Sequence, residues 1–430
     1  KDDIYFGGSK FNPAKVYLQK EGLYEEEKNQ IFANDSINED VVALIADFNN
    51  DNKNDLFVGT GGADFYSKMK PLLDTYFIQN NTGFTKEQLP EYFENASVIE
   101  AHDYDNDGDL DVFVGNDIVS NDFGAMPNSY ILKNNKGNFS ILENQPFQNI
   151  GMITDAIWED YDSDGFVDLI LVGEWMTPKF FKNRKGNFVE ENLINSKLTG
   201  LWQQIAPFDI DKDGDVDFLL GNWGKNSKFE ASQEHPLRMY YSDFDENGST
   251  ETILCNFKNG AYYPLLGLDE LASQIVSLRK KFTNYKSFAG KSINAIFEKS
   301  VLKKARIFEV NTLASGFLKN ENNTFTFVPF KNELQVSPIS SFLEYDFNAN
   351  GVNEVLVAGN YFGVSPYHGR FDSFPGALIV NEDKIILGNK IGLNFSQKAV
   401  KKLNIIKVQN KSYVLATINN DSAQVYQLIK

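Results

Sequence analysis

The sequence predicts an all-β fold: a β-propeller of seven, or eight, four-stranded blades, with a small helical insertion at 267–306. Three observations carry that expectation. A nine-residue acidic cluster recurs along the chain, short apolar runs flank each copy, and Asn/Lys-Gly hairpin tips follow. The 430 residues exceed one ordinary compact core, so a repeat array or several domains is required. Hydrophobic residues make up 42 %, which excludes a disordered chain.

The acidic clusters set the register. Their polar positions are Asp47, Asn49, Asp51 and Asp55; then Asp103, Asp105, Asp107 and Asp111; then Asp160, Asp162, Asp164 and Asp168. Asp209, Asp211, Asp213 and Asp217 follow, then Asp243, Asp245, Asn247 and Glu251, and last Asp346, Asn348, Asn350 and Glu354. The first four clusters start at 47, 103, 160 and 209, so the steps are 56, 57 and 49 residues. A period of about 50 is that of propeller blades and other repeat arrays.

Strands come before and after each cluster. Val41–Ile45 precedes one; Leu56–Val58, Val112–Val114, Leu169–Val172, Phe218–Leu220 and Val355–Val357 follow others. β-Branched and aromatic runs bounded by Asp, Asn and Gly read as strands, and their lack of alternation predicts burial on both faces. A third strand and a hairpin come next in Tyr76–Phe84, Tyr130–Phe139 and Phe180–Phe188, where glycine supplies the positive φ of a tight turn. The unit is therefore strand, acidic loop, strand, long loop, strand, hairpin, strand. Repeated radially, it is a blade.

Both ends fit partial units. Asp2–Gly8 matches the tail of a unit with Asp3 in the last acidic position, which leads to the expectation of one propeller domain over 1–430, truncated before Lys1. Leu403–Val408, Tyr413–Thr417 and Gln424–Leu428 give three strands without a fourth, so the two ends are expected to close the ring together. Residues 225–335 depart from the pattern. Leu271, Ile275 and Leu278 have helical spacing, Asp269 and Ser292 are candidate N-caps, and the stretch is basic, as a solvated face would be.

Composition limits the chemistry. The charge sum of 41 − 59 = −18 and a pI near 4.7 disfavour nucleic acid and anionic membranes as partners. The lone Cys255 excludes an internal disulfide, and His102, His235 and His368 are too scattered to suggest histidine metal catalysis. No apolar run reaches the ~20 residues of a membrane span, and no charged-then-apolar leader opens the sequence.

The acidic loops read as calcium sites. Side-chain oxygens at positions 1, 3, 5 and 9, a carbonyl at 7 and glycine at 6 resemble an EF-hand loop, because alternate side chains converge as the chain curls. Gly108, Gly165, Gly214, Gly248 and Gly351 fill position 6, and Asn52 replaces glycine in the first loop. Ligand charges of −3, −4, −4, −4, −3 and −2 repel unless a cation neutralises them, and hard oxygen donors select calcium. Metal-free Asx turns are the competing reading, and six loops in register weigh against it. The expectation is about five calcium ions, with the 346–354 loop weak or empty.

These loops, followed by strands ending in Val-Gly, resemble the FG-GAP/VCBS family of calcium-binding β-propellers, also seen in the integrin α-subunit head. Gly151–Trp158, Leu171–Trp175, Gly221–Trp223 and Ala358–Gly363 are similar to the branch of bacterial surface proteins in which such propellers accompany an ASPIC/UnbV domain. The resemblance implies calcium, an exported, outer-membrane-associated location at the bacterial cell surface and, as a partner, an outer-membrane nutrient transporter complex. Loops leaving the second strands should share one face. Glu174, Trp175, Asn222, Trp223, Asn360 and Tyr361 there suit a sugar or peptide, or else packing between blades. The function expected is a non-enzymatic calcium-stabilised binding or scaffold module for a protein or glycan, with no catalytic residues. The alternatives are a calcium-dependent polysaccharide lyase-like propeller and a purely structural domain.

Overall fold

A computed structural model describes residues 2–428 apart from 29, 63, 66–67 and 366–368, so Lys1 and His368 lie outside the described residues. The described residues form eight antiparallel sheets. The second sheet pairs Glu39–Ala46, Asp55–Gly61, Thr75–Asn80 and Gly83–Glu87 in chain order, with the 47–54 loop between its first two strands. The third repeats this with Asn95–His102, Asp111–Ile118, Tyr130–Asn135 and Asn138–Ile141, and the fourth with Met152–Glu159, Asp168–Met176, Lys179–Asn183 and Phe188–Glu191. A later four-stranded sheet runs Ile339–Tyr345, Glu354–Gly359, Ala377–Ile379 and Ile385–Leu387.

The apolar second strands hold these sheets together. In Leu169–Val172 all four side chains are fully buried. Leu169 and Leu171 join the cluster with Phe113 and Ile131 of the preceding sheet, while Ile170 and Val172 join Ile205 and Phe218 of the following one. The same division sends Phe113 one way and Val112 and Val114 the other, and separates Val355 and Val357 from Leu356 and Ala358. A strand with no polar side sits between two neighbours, which is why these runs do not alternate. Each such side chain contributes about 1.5–3 kcal/mol by leaving water. First strands are less buried: Glu39–Ala46 has no fully buried residue, and Asn95–His102 and Met152–Glu159 are buried over only half their length.

A bulge recurs at one place in successive sheets. The first-to-second-strand register shifts between Asp40 and Val42, Ala96 and Val98, Ile153 and Asp155, Ile339 and Ser341, and Val400 and Lys402. In three of the five the extra residue is a serine or threonine that turns its hydroxyl onto the next sheet. Ser97 Oγ donates to Ile153 O at 2.6 Å, Thr154 Oγ1 to Trp202 O at 2.8 Å, and Ser340 Oγ to Val400 O at 2.5 Å. Bulges used repeatedly in this way are part of the architecture.

Residues 225–335 contain a second sheet inside the fifth. Gln204–Pro207 and Phe218–Gly221 pair with Gly316–Asn320 and Phe325–Pro329, so the chain leaves that sheet after Gly221 and returns at Gly316. Between them, Leu237–Ser242, Glu251–Lys258, Ala261–Pro264 and Arg306–Val310 form a sheet of their own. Five short helices between Leu268 and Lys304 cover one of its faces, with Leu271, Ile275, Leu278 and Ile293 packed on Tyr240, Ile253 and Cys255. The 243–251 loop therefore belongs to this inserted sheet and not to the main series, contrary to its counting as one more repeat. Asp269 lies in a first turn behind Gly267 and caps nothing; Ser292 stands at an N-cap without a capping bond, and Asn284 caps by accepting from Ser287 N.

The ends also differ from expectation. Ile4–Phe6, Lys15–Lys20 and Leu23–Glu27 form one three-stranded sheet, and Val400–Val408, Lys411–Ile418 and Gln424–Gln427 another. Each set pairs with its chain neighbours first, so the two ends do not share a ladder. They meet through side chains: Gln19 Nε2 donates to Lys407 O at 2.8 Å, and Lys407 N donates to Asp2 Oδ2 at 2.6 Å. No helix among the described residues is long and apolar enough to cross a membrane.

Candidate metal centres

All six acidic loops share one backbone frame. The position-1 carboxylate accepts two backbone N–H groups of its own loop: in the second copy Asp103 Oδ1 takes Asp107 N at 3.0 Å and Oδ2 takes Gly108 N at 2.9 Å. Asp47, Asp160, Asp209, Asp243 and Asp346 do the same. Position 6 has φ between 85° and 98° in its five glycines and 65° at Asn52. A Cβ at those glycines would touch nothing, so it is the dihedral angle that requires them.

Four loops bring carboxylates together. Oxygens of Asp103, Asp105 and Asp111 lie within 4.8 Å of one another, as do those of Asp160, Asp162 and Asp168, of Asp209, Asp211 and Asp217, and of Asp243, Asp245 and Glu251. These are positions 1, 3 and 9. Position 5 stays at the margin: Asp107, Asp164, Asp213 and Asn247 each accept the backbone N–H two residues on. Position 9 opens the second strand and is anchored from the third, where Asn134 N, Asn183 N and Asn320 N donate to Asp111, Asp168 and Asp217 at 2.7–2.8 Å.

The donor set fits a hard divalent cation. Asp105 Oδ1, Asp111 Oδ2, Asp162 Oδ1, Asp168 Oδ2 and Asp245 Oδ1 are buried and have no hydrogen-bond partner. Buried carboxylate oxygens without a partner are costly, and a cation held among them would remove that cost. Burial, with the neighbouring carboxylates adding to it, pushes Asp111 and Asp168 up to about 7 and Asp217 to about 6.

The 47–55 and 346–354 loops gather no such trio among the described residues. In the first, Asn49 replaces a carboxylate and the Tyr76 hydroxyl donates to Asp55 Oδ2 at 2.7 Å, filling the place that Asp111 Oδ2 and Asp168 Oδ2 leave open. The 47–55 loop thus differs from the four carboxylate-gathering loops at positions 3, 6 and 9. In the second, the Asn348 amide and Phe347 N both donate to Glu354, so the loop satisfies itself. Asn350 accepts Val352 N at 2.8 Å and adds no charge.

Sequence reasoning passed over the third-strand lysines. Lys133 is paired with Asp105 and Asp107, Lys182 with Asp162 and Asp164, and Lys319 with Asp211. The signal is a recurring apolar-Lys-Asn triplet at 132–134, 181–183 and 318–320.

The six residues expected on a ligand face divide. Asn222 is buried, accepting from Leu201 N and Trp223 N and donating to Thr312 O and Ala314 O. Asn360 is buried and donates to Phe374 O, Phe395 O and Lys398 O. Trp175, 6 % exposed, packs with Met152, Leu201, Leu237 and Val310 between the fourth sheet and the inserted one. These three serve packing, the second of the two readings the sequence left open for them. Glu174, Trp223 and Tyr361 remain half-buried. Gln203 Nε2 donates to Glu174 at 2.9 Å, and Trp223 meets Tyr361, Phe229 and Phe371 at ring distances of 5.5–5.6 Å.

Three overlapping stretches, 47–114, 103–171 and 160–220, match the FG-GAP-like repeat. No curated protein sequence matches the chain significantly. Among solved structures, the chain is similar to an Agrocybe aegerita lectin described as recognising non-reducing terminal N-acetylglucosamine, at 14 % identity and TM-score 0.38 over 89 % of this chain and 90 % of that one. It is also similar to the V. cholerae biofilm matrix protein Bap1, at 12 % identity and TM-score 0.42 over 100 % and 87 %. BBS1N, solved in complex with ARL6DN, gives 10 % identity and TM-score 0.36 over 91 % and 92 %. Likenesses this distant carry no inference about ligands. The chain is thus an all-β protein of successive antiparallel sheets that contains three FG-GAP-like repeats.

Proposed function

We propose that the chain is a seven-bladed calcium-stabilised β-propeller acting as a non-enzymatic binding or scaffold module. Seven sheets follow one another with each packed on the next, the inserted sheet hangs from the fifth, and Gln19 and Asp2 reach Lys407 across the ends. The observation that carries the metal reading is the set of buried, partnerless oxygens on Asp105, Asp111, Asp162 and Asp168. Asp103, Asp105 and Asp111, with the equivalent residues of the 160–168, 209–217 and 243–251 loops, would hold the ions. Bound calcium would supply charge neutralisation, fixing the turn between first and second strands.

The binding surface we propose is the half-buried group of Glu174, Gln203, Trp223 and Tyr361, where rings adjoin a carboxylate and an amide. Its ligand would be a glycan or a peptide, since aromatic area with a few polar groups suits both. An exported location at the bacterial surface, beside an outer-membrane transporter, rests on the family resemblance alone. Glycan and peptide arrays test the module: wild-type signal should be lost in Tyr361→Ala with the melting temperature retained. Equal binding by Tyr361→Ala, or turnover of a bound glycan, would overturn this reading.

A further inference from the structure

In three of the four carboxylate-gathering loops the acids already have a cation of their own. Lys133, Lys182 and Lys319 occupy the same place in successive sheets, one residue before the asparagine that anchors position 9. The Lys182 ammonium is bonded to Asp162 Oδ2 and lies 2.7 Å from Asp164 Oδ2; Lys133 takes Asp105 Oδ2 and lies 3.3 Å from Asp107 Oδ2; Lys319 lies 2.5 Å from Asp211 Oδ2. In the first two sets the other oxygen of the same carboxylate, Asp162 Oδ1 or Asp105 Oδ1, is buried and unpartnered. The ammonium therefore sits on the rim and leaves the inner oxygens open. The Lys182 side chain is only 12 % exposed, so water screens it weakly.

The remaining loops lack this arrangement. Ile78 stands at the corresponding third-strand position beside the 47–55 loop, one residue before Gln79, whose N donates to Asp55, and Val380 stands there beside 346–354. Among the described residues, Asp245 has no lysine or arginine paired to it, although its loop gathers Asp243, Asp245 and Glu251.

We infer that Lys133, Lys182 and Lys319 are built-in counter-cations that hold their loops in shape without metal and weaken calcium at those three sites. The inference rests on the calcium reading above. Without an ion, four carboxylates in one loop repel, and an ammonium on positions 3 and 5 offsets part of that repulsion. With an ion, the same ammonium remains a fixed positive charge beside a divalent cation. At about 5 Å, even the full screening of a water-like dielectric leaves a repulsion that corresponds to a change in affinity on the order of tenfold. The 243–251 loop, with one carboxylate fewer but no ammonium, should then bind comparably to its neighbours.

The test uses the full chain, wild-type against Lys182→Met, with Lys133→Met as a second variant and Lys179→Met as control. Lys179 pairs with Glu190 at 2.5 Å, away from the acidic loops. Two quantities are read: calcium affinities from competition with a chromophoric chelator, and the melting temperature in excess chelator. The expected result is a lower ion-free melting temperature together with one calcium site tightened about tenfold; Lys179→Met should leave every calcium site unchanged. Folded Lys182→Met and Lys133→Met whose sites are unchanged or weaker would overturn the inference while leaving the calcium reading intact. A wild-type chain that binds no calcium would overturn the calcium reading itself, and an ion-free melt undiminished in both variants would overturn the counter-cation role too.

Discussion

Replacing Asn183 with alanine should cost the protein about 3 kcal/mol, because that side chain closes three backbone groups at once. Asn183 is 1 % exposed. Its Nδ2 donates to Tyr104 O at 2.8 Å and Val167 O at 3.0 Å, and its Oδ1 accepts Gly186 N at 2.8 Å. Tyr104 belongs to the acidic loop of the preceding sheet, so one amide ties a hairpin, its own loop and its neighbour's loop together. Each lost bond is worth about 1 kcal/mol, and more where the abandoned group stays dry. At roughly 2.1 cal/mol/K of unfolding entropy per residue, the sum lowers the melting temperature by about 3 °C if the domain unfolds as a unit. Thermal and urea denaturation in excess calcium measure it. Asn320 is the internal comparison: among the described residues its side chain reaches Val216 O and Asn323 N alone, so Asn320→Ala should cost about 2 kcal/mol. Asn183→Ala within about 0.5 kcal/mol of wild-type would refute the reasoning, since this is the level of an ordinary surface change.

Three further outcomes follow from the same structure. Trp175→Ala should lower stability by about 3–5 kcal/mol, since it empties a buried site between the fourth and inserted sheets, and calcium content should stay constant; equilibrium unfolding with metal analysis checks both. Chelation should lower the melting temperature of the wild-type chain, because ligand bound only to the folded state contributes about 2.7 kcal/mol per site at a hundredfold excess over Kd; an unchanged melt would make the loops metal-free turns. Stability in chelator should fall as pH rises. Burial raises Glu100 and Asp117 to about 7 and Asp155 to about 6, so the folded state holds protons that the unfolded state has released. Their contribution is complete below the unfolded values of 4.5 and 3.8 and is lost as pH rises through the folded ones. Melting curves from about pH 4 to about pH 8 measure this, and Glu100→Gln should flatten the profile.

The repeat was legible because its signals are local. Asp-x-Asp-x-Asp-Gly fixes a turn, and an unbroken run such as Leu169–Val172 states that two neighbours cover it; the structure shows both. Three things were not legible. The inserted sheet lies between the halves of the fifth, and Leu237–Ser242 pairs with Arg306–Val310 across the helices, a contact over some seventy residues that no local pattern carries. The burial of Trp175 depends on that insertion, so a tryptophan in a loop left packing and binding both open. The difference between loops 47–55 and 103–111 lies in Tyr76, more than twenty positions from the acids it satisfies. Lys182 was readable in principle, since the Lys-Asn pair recurs in register. Its meaning needs the third strand placed beside the first loop.

Metal stoichiometry tests the central claim most directly. Protein stripped by chelator, dialysed against calcium and analysed for bound metal should hold about four ions per chain, one for each loop that gathers three carboxylates. Asp111→Asn and Asp168→Asn should each remove one ion, and Asp55→Asn none, because the Tyr76 hydroxyl already occupies that carboxylate. A folded wild-type chain that retains no calcium would contradict the account.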